Sequence, residues 1–282
     1  GDSVIHTLVR QGLVDVNRDV RWTEPFAVLD VGSGLSGLLF ALLTPEFPFR
    51  KWTYHGVSIS RPEIQRARQL LDCHRIEVRR NGQLRLGTGV TSLQNVTLRQ
   101  ASFDEPLPAK SLHAVVAVES LSYSHNLTLT LSNLAASLQP KGTLIVVDDV
   151  VAPWFVDEKR DEDLQLLVER TVKTSLMTHQ EWLQGFASAG LVLQQAARDL
   201  NLEYEWSVPL DDSDKSHDRL HEFVQKLGTW FGRCEGVHTC GTVARGVQLL
   251  SDVVRHSSGK LLRQAAHFRG DLTLMMYVCT KK

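Results

Sequence analysis

The sequence predicts an α/β fold: a mostly parallel sheet with helices on both faces. Three observations predict it. Short apolar runs alternate with helical stretches along the chain, a glycine-rich turn follows the first such run, and the composition is that of a globular protein. Parallel neighbours need long crossovers, and the alternation supplies them. The 282 residues are 43% hydrophobic and 22% charged, enough for one large core or two modest ones and too apolar for a disordered chain.

Residues 1–25 form a helical lead-in, apolar and polar residues being mixed over 8–16. The run Phe26-Ala27-Val28-Leu29-Asp30-Val31 is short enough for a buried strand, and glycines end it. A helix follows over 38–43, then a second strand over 54–59. Ser60 stands three residues before Glu63, the spacing of a capping box that opens a helix to about residue 71. Residues 75–86 alternate about Asn81-Gly82, which predicts an inserted hairpin. Strands follow at 96–101 and 114–118, a helix at 127–138, and a strand at 143–147 after the turn Pro140-Lys141-Gly142.

Leu164, Leu167, Val168 and Val172 lie at helical spacing within 158–174. Thr178 and Glu181 make a second capping box, and Gly190 closes its helix before a sixth strand at 191–197. Helical patches fill the long stretch after it, and 272–279 close the chain as a seventh strand. The expected organisation is one core of 26–199 plus 271–282, carrying an inserted helical cap at 200–270.

Lys and Arg number 31 against 32 Asp and Glu, a net charge of −1, which disfavours a protein that binds nucleic acid by phosphate neutralisation. The apolar stretch 35–43 is broken by Pro45, short of the roughly 20 residues a membrane-spanning helix needs. No membrane span is expected. The first residues lack a secretory pattern, although trimming can remove one, so targeting is unreadable. Four cysteines, Cys73, Cys234, Cys240 and Cys279, do not make a disulfide framework and point to a reducing, cytoplasmic setting. The sequons at Asn95 and Asn126 then read as chance matches.

The turn Asp30-Val31-Gly32-Ser33-Gly34-Leu35-Ser36-Gly37 carries the chemistry. Its Gly32-x-Gly34-x-x-Gly37 spacing lets backbone N–H groups approach a cofactor closely, where tight helix packing is the plain alternative. A dinucleotide site usually ends its second strand in an acid for the ribose, and Ser58 stands there instead. Asp30 directly before the glycines would repel a pyrophosphate and suits a cationic ligand with an amino group. S-adenosylmethionine is favoured over a nicotinamide dinucleotide.

The chain resembles the class I S-adenosylmethionine-dependent methyltransferases, above all the small-molecule branch of tocopherol and sterol C-methyltransferases and plant alkaloid N-methyltransferases. Residues 28–34 match the family's first motif, and Gly56-Val57-Ser58-Ile59-Ser60-Arg61-Pro62-Glu63 is similar to the branch's G-[VI]-T-L-S-P segment. Phe103-Asp104-Glu105-Pro106-Leu107-Pro108 resembles its L-D-x-P-F element, Val118-Glu119-Ser120 its M-E-S, and Pro140-Lys141-Gly142 its P-G-G turn. The resemblance implies a Rossmann-like sheet of seven strands with the last antiparallel. It implies that Asp30, Gly32, Ser33 and Gly34 hold the methionyl part of the cofactor, with Glu119 beside it. Ser58 and Ile59 would flank the ribose and adenine, and Ser102 and Phe103 would border the adenine. The acid that many relatives carry at the position of Ala101 is missing.

The methyl donor is already activated, so positioning and water exclusion supply most of the rate, and a base is needed only where the acceptor loses a proton. Glu119, Tyr123 and His125 lie just beyond the fourth strand, at the carboxyl edge where such sheets place ligands, and are the expected acceptor contacts. Plain alternatives are a helix cap for Glu119, a packed ring for Tyr123 and an exposed polar residue for His125. Asp148 and Asp149, past the fifth strand, have two readings, acids lining the substrate pocket to attract a cationic acceptor or, more commonly, solvated loop acids, and Asp199 shares both. Arg75, Arg79, Arg80 and Arg85 read as a solvated basic face. Cys234, His238 and Cys240 lack a fourth zinc ligand, and no metal is expected. Trp206, Trp230 and Phe231 are expected to roof an apolar pocket.

The expected activity is methyl transfer to an N, O or C atom of a small, partly apolar molecule, with S-adenosylhomocysteine as product. A homodimer is compatible with the sequence. A methyltransferase-fold scaffold without turnover and a protein methyltransferase are the competing readings.

Overall fold

The computed structural model describes residues 4–17, 25–43, 47, 51–73, 77–78, 84–86, 89–90, 93–107, 111–152, 173, 176–200 and 272–282. The chain divides into two compact units, one of Gly1–Val151, Thr174–Leu200 and Leu274–Lys282, the other of Ala152–Lys173 and Asn201–Thr273. The first unit holds nearly all of the described residues. The helix expected at 158–174, the cap with its aromatic residues, and the Cys234, His238 and Cys240 group lie outside them.

In chain order the elements are α1 (Val4–Asn17), β1 (Phe26–Val31), α2 (Gly37–Leu42), β2 (Trp52–Ser58), α3 (Arg61–Cys73), β3 (Glu77–Val78), β4 (Leu84–Leu86), β5 (Gly89–Val90) and β6 (Leu93–Gln100). There follow β7 (Leu112–Val118), a 3-10 turn (Leu121–Tyr123), α4 (Leu127–Ser137), β8 (Leu138–Val151), β9 (Met177–Thr178), α5 (His179–Ser188), β10 (Leu191–Leu193), β11 (Arg198–Asp199) and β12 (Leu272–Lys281). The main sheet runs β10-β12-β8-β7-β1-β2-β6, with β9 added beside β8 and β11 beside β12. Strands β6, β2, β1, β7 and β8 are mutually parallel, and β12 is antiparallel to β10 and β11. The chain moves outward from β1 through β2 to β6, then returns to β7 on the other side of β1. That reversal makes a switch point at β1 and β7, the place where open α/β sheets bind ligands.

Period-two alternation gives the parallel strands two buried faces. Leu29, Val31, Val115, Ala117, Leu144 and Val146 pack with Leu131 and Leu134 of α4 and Trp182 and Phe186 of α5. On the other face α1 lies so close that a Cβ on Gly12 would stand 2.8 Å from Met276 Cε and 3.3 Å from Ile145 Cδ1. A Cβ on Gly37 would stand 2.5 Å from the His6 ring, so the third glycine of the turn serves the α1–α2 contact.

Several boundaries depart from the sequence reading. Strands β6 and β7 begin earlier than expected, at Leu93 and Leu112. The sixth strand is two pieces, β10 and β11, both paired with β12. The turn at 140–142 survives as a register jump, the partner of Leu112 being Leu138 and that of Ala114 being Thr143, with Lys141 at φ 65. Strand β8 continues through Asp148 and Asp149 to Val151, and both acids are fully buried. They are not loop acids: Asp148 Oδ2 accepts the Ser122 N–H at 3.0 Å and Oδ1 the Asp149 N–H at 2.9 Å. The hairpin is present, Glu77 facing Arg85 and Val78 facing Leu84, and β5 adds a third strand. The capping box of Thr178 and Glu181 is complete.

Among the described residues no helix is long and apolar enough to cross a membrane, and no cluster of metal-ligating side chains occurs.

Candidate active site

The carboxyl ends of β1, β2, β6 and β7 bring four loops to one edge of the sheet, and their hydrogen bonds tie them into a unit. Ser33 N–H donates to Val57 O at 2.9 Å, joining the glycine turn to β2. Ala101 N–H donates to Ser58 O at 3.1 Å, joining β6 to β2. Ser120 Oγ donates to Val31 O at 2.8 Å, joining the loop after β7 to the turn.

Within the turn the glycines do different work. Gly32 has φ 71, and a Cβ there would lie 2.4 Å from Ser120 Cβ, so both backbone and packing demand glycine. Gly34 has φ 49, and among the described residues its Cβ would meet nothing nearer than Gly32 O at 4.0 Å. The turn is therefore walled at Gly32 and open at Gly34. Ser33 packs its side chain down onto Gly56, whose missing Cβ would stand 3.0 Å from Ser33 Oγ. The Ser33 hydroxyl is buried without a hydrogen-bond partner among the described residues.

Asp30 does not present its carboxyl at this edge. It is buried and accepts a hydrogen bond from the Tyr54 hydroxyl on the neighbouring strand. Burial disfavours its charged form and pushes its pKa up to about 7, against the smaller lowering effect of Tyr54. Because the folded value lies above the ordinary 3.8, the folded protein holds a proton that the unfolded chain releases between the two. The stability contributed by this group is then fully present below pH 4 and is lost as pH rises through about 7. Asp30→Asn should flatten this window, removing a decline on the order of 2–4 kcal/mol between pH 4 and 8 in urea unfolding curves. An unchanged slope would show that Asp30 is not the titrating group.

Ser58 is buried and its hydroxyl is already engaged. Ser58 Oγ donates to Glu63 Oε2 at 2.8 Å and accepts the Ser60 N–H at 3.0 Å. The capping box expected here is half formed, since Ser60 Oγ accepts the Glu63 N–H at 3.3 Å while the Glu63 carboxylate turns to Ser58. An acid thus reaches the end of β2 from the first turn of α3, which the sequence reading missed. Ile59, next to Ser58, is 65% exposed. Leu35 after β1 and Tyr123 after β7 are exposed as well, at 49% and 41%.

Ser102 is half-buried, its Oγ accepting the Asp104 N–H at 3.2 Å. The Phe103 side chain belongs to the core. Asp104 does not turn toward β2 to replace the missing acid at Ala101. Its Oδ1 accepts Thr130 Oγ1 at 2.6 Å and Ser124 Oγ at 2.7 Å, and its Oδ2 accepts His125 N–H at 3.2 Å. Burial would raise its pKa, but these bonds together outweigh burial and hold the carboxyl below the usual range.

Glu119, half-buried at the end of β7, has the left-handed φ of 49 and donates its N–H to Val147 O at 2.6 Å. Such a conformation costs of order 1–3 kcal/mol in a residue other than glycine and concentrates at functional sites. The structure thus brings Gly32, Ser33, Gly34, Ser58, Ile59, Ser102, Glu119, Tyr123 and His125 to one edge, with Asp30 and the Phe103 ring inside the fold.

Residues 18–196, more than half of the chain, match the family described as "Methyltransferase domain". No curated protein gives a match. Among solved structures, geranyl diphosphate C-methyltransferase from Streptomyces coelicolor A3(2), in complex with Mg2+, geranyl diphosphate and S-adenosyl-L-homocysteine, is 14% identical with a TM-score of 0.59. The match covers 98% of this chain and 79% of that one. The StiE O-MT, residues 942–1257, is 15% identical with a TM-score of 0.56, over 100% of this chain and 82% of that one. At such identities the likeness is one of fold. The domain match and the sheet order together place the chain in the methyltransferase domain family, as a class I S-adenosylmethionine-dependent enzyme.

Proposed function

We propose that the enzyme methylates a small, partly apolar molecule held at the carboxyl edge of β1 and β7. The observation that carries this reading is the open direction at Gly34, bordered in the chain by Leu35 and joined at the same edge by the exposed Ile59 and Tyr123. Exposed large side chains on three edge loops suit an apolar ligand surface. The neighbours named for geranyl diphosphate and O-methyl transfer support an acceptor of this kind.

The residues present fit S-adenosylmethionine. The space at Gly34 is open among the described residues, and Ile59, exposed just past the end of the neighbouring strand, offers an apolar surface at the same edge. The backbone of Gly32, Ser33 and Gly34 would lie along the methionyl part, where the Ser120 bond to Val31 fixes the turn. Glu63 and Ser58 together would meet the ribose hydroxyls, with Ser102 and the backbone of Phe103 at the adenine. Asp30 would act through the turn it precedes rather than by contact. S-adenosylmethionine, when bound, supplies a methyl group on a sulfonium. The chain's part is to orient the acceptor and exclude water, through Glu119, Tyr123 and His125. The buried free thiol of Cys279 accords with a reducing, cytoplasmic setting.

Calorimetry with S-adenosylhomocysteine and with NAD tests the reading. Saturable heat is expected with the first and none with the second; the reverse pattern would refute it.

A further inference from the structure

Three buried serines pin the loop after β7. Ser120 Oγ donates to Val31 O at 2.8 Å, the Ser122 N–H donates to Asp148 Oδ2 at 3.0 Å, and Ser124 Oγ donates to Asp104 Oδ1 at 2.7 Å. Val31 and Asp148 lie on β1 and β8, which the sheet already fixes. Asp104 lies instead on the loop after β6, the loop that carries Ser102 and Phe103. It is where the loop on the adenine side meets the loop on the acceptor side.

The junction is built from both loops and from α4. Asp104 Oδ1 also accepts Thr130 Oγ1 at 2.6 Å, Oδ2 accepts the His125 N–H at 3.2 Å, and the Asp104 carbonyl accepts Asn133 Nδ2 at 3.2 Å. Ser124 and Thr130 are fully buried, and Ser124 Oγ in turn accepts the Asn126 N–H at 3.1 Å. The N–H groups of residues 122 to 126 are all bonded, that of Ser122 to Asp148 and those of Tyr123 and Ser124 to the carbonyls of Ser120 and Leu121. At the start of this loop Glu119 holds a φ of 49, which persists only where the surroundings over-determine it. Between the last two pins Tyr123 stays 41% exposed. A side chain that meets a ligand at one place needs a fixed backbone, since a misplacement of about 1 Å can cost on the order of 100-fold in rate.

We propose that Asp104 is a positioning residue of the transfer, which locks the loops after β6 and β7 to each other so that the acceptor side of the site is set before any ligand arrives. This rests on the reading of the site given above. Asp104 acts through its neighbours: through the backbone at 124 and 125, which follows Tyr123, and through its own loop, which carries Ser102 and Phe103.

Two variants test it. Asp104→Ala removes the carboxylate, and Thr130→Val removes one donor to it from a fully buried position that no ligand reaches. Hydrogen exchange read by mass spectrometry should be slow over residues 119–126 of the ligand-free wild type. It should be at least about 10-fold faster in Asp104→Ala, with a smaller rise in Thr130→Val. Calorimetry should show S-adenosylhomocysteine binding about 10-fold more weakly to Asp104→Ala and about threefold more weakly to Thr130→Val, because only molecules with the loops locked are competent to bind. Saturating ligand should return the exchange of 119–126 toward the wild-type rate. A merely structural role would lower the melting temperature of both variants and leave exchange over 119–126 and affinity in the folded protein as in the wild type, which would overturn the proposal. Should Asp104→Ala not fold, Thr130→Val alone decides: exchange at the wild-type rate, or affinity unchanged, would overturn it. Failure of the wild type to bind S-adenosylhomocysteine would instead overturn the reading beneath it.

Discussion

Gly34→Trp is expected to give a folded protein that has lost at least about 100-fold in affinity for S-adenosylhomocysteine, roughly 2.8 kcal/mol. The position has φ 49, so any side chain there costs about 1–2 kcal/mol of stability. Among the described residues nothing crowds it, however, the nearest atom beyond its chain neighbours lying 4.0 Å from its Cβ. An indole would therefore be tolerated by the described core and would occupy the open direction at Gly34. Thermal unfolding should show a modest loss, and calorimetry should show no saturable heat. A folded variant with unaltered affinity would contradict the placement of the cofactor.

Gly32→Val should do the opposite, failing in stability before it fails in binding. A branched side chain at φ 71 is disfavoured by its own backbone, and its Cβ would stand 2.4 Å from Ser120 Cβ. Ser120 cannot retreat freely, because its hydroxyl holds Val31 O. Left-handed strain of about 1–2 kcal/mol and overpacking of about 1–3 kcal/mol together predict a loss of roughly 2–5 kcal/mol, read as a fall in the urea midpoint. A midpoint close to that of the wild type would mean that the turn and the loop after β7 are not locked together.

The two glycines stand two residues apart in one motif, and the sequence could not tell them apart. Their spacing named the turn, while their separate roles depend on Ser120, which lies far along the chain and arrives only when β7 pairs with β1. Asp104 is hidden in the same way: its partners at 124, 125 and 130 come from another loop and helix. Local signals were legible where the interaction is local. The Thr178 capping box needed only neighbours in sequence. The hairpin strands formed as well, but Val78 pairs with Leu84, one residue away from the register that a two-residue turn at Asn81-Gly82 would set. At Ser60 the capping spacing was present, but Ser58 on β2 competes for the Glu63 carboxylate and wins it. The pair Asp148-Asp149 misled because acids in sequence read as solvent-exposed, whereas here backbone N–H groups satisfy Asp148 within a buried strand. Asp30 was read as facing a ligand, and only the pairing of β1 with β2 brings Tyr54 to it.

The most direct measurement is a crystal structure of the protein grown with S-adenosylhomocysteine. The account predicts density along Gly32–Gly34, with the ribose at Ser58 and Glu63 and the adenine against Ile59. Density at another surface, or a bare glycine turn at saturating ligand, would contradict it.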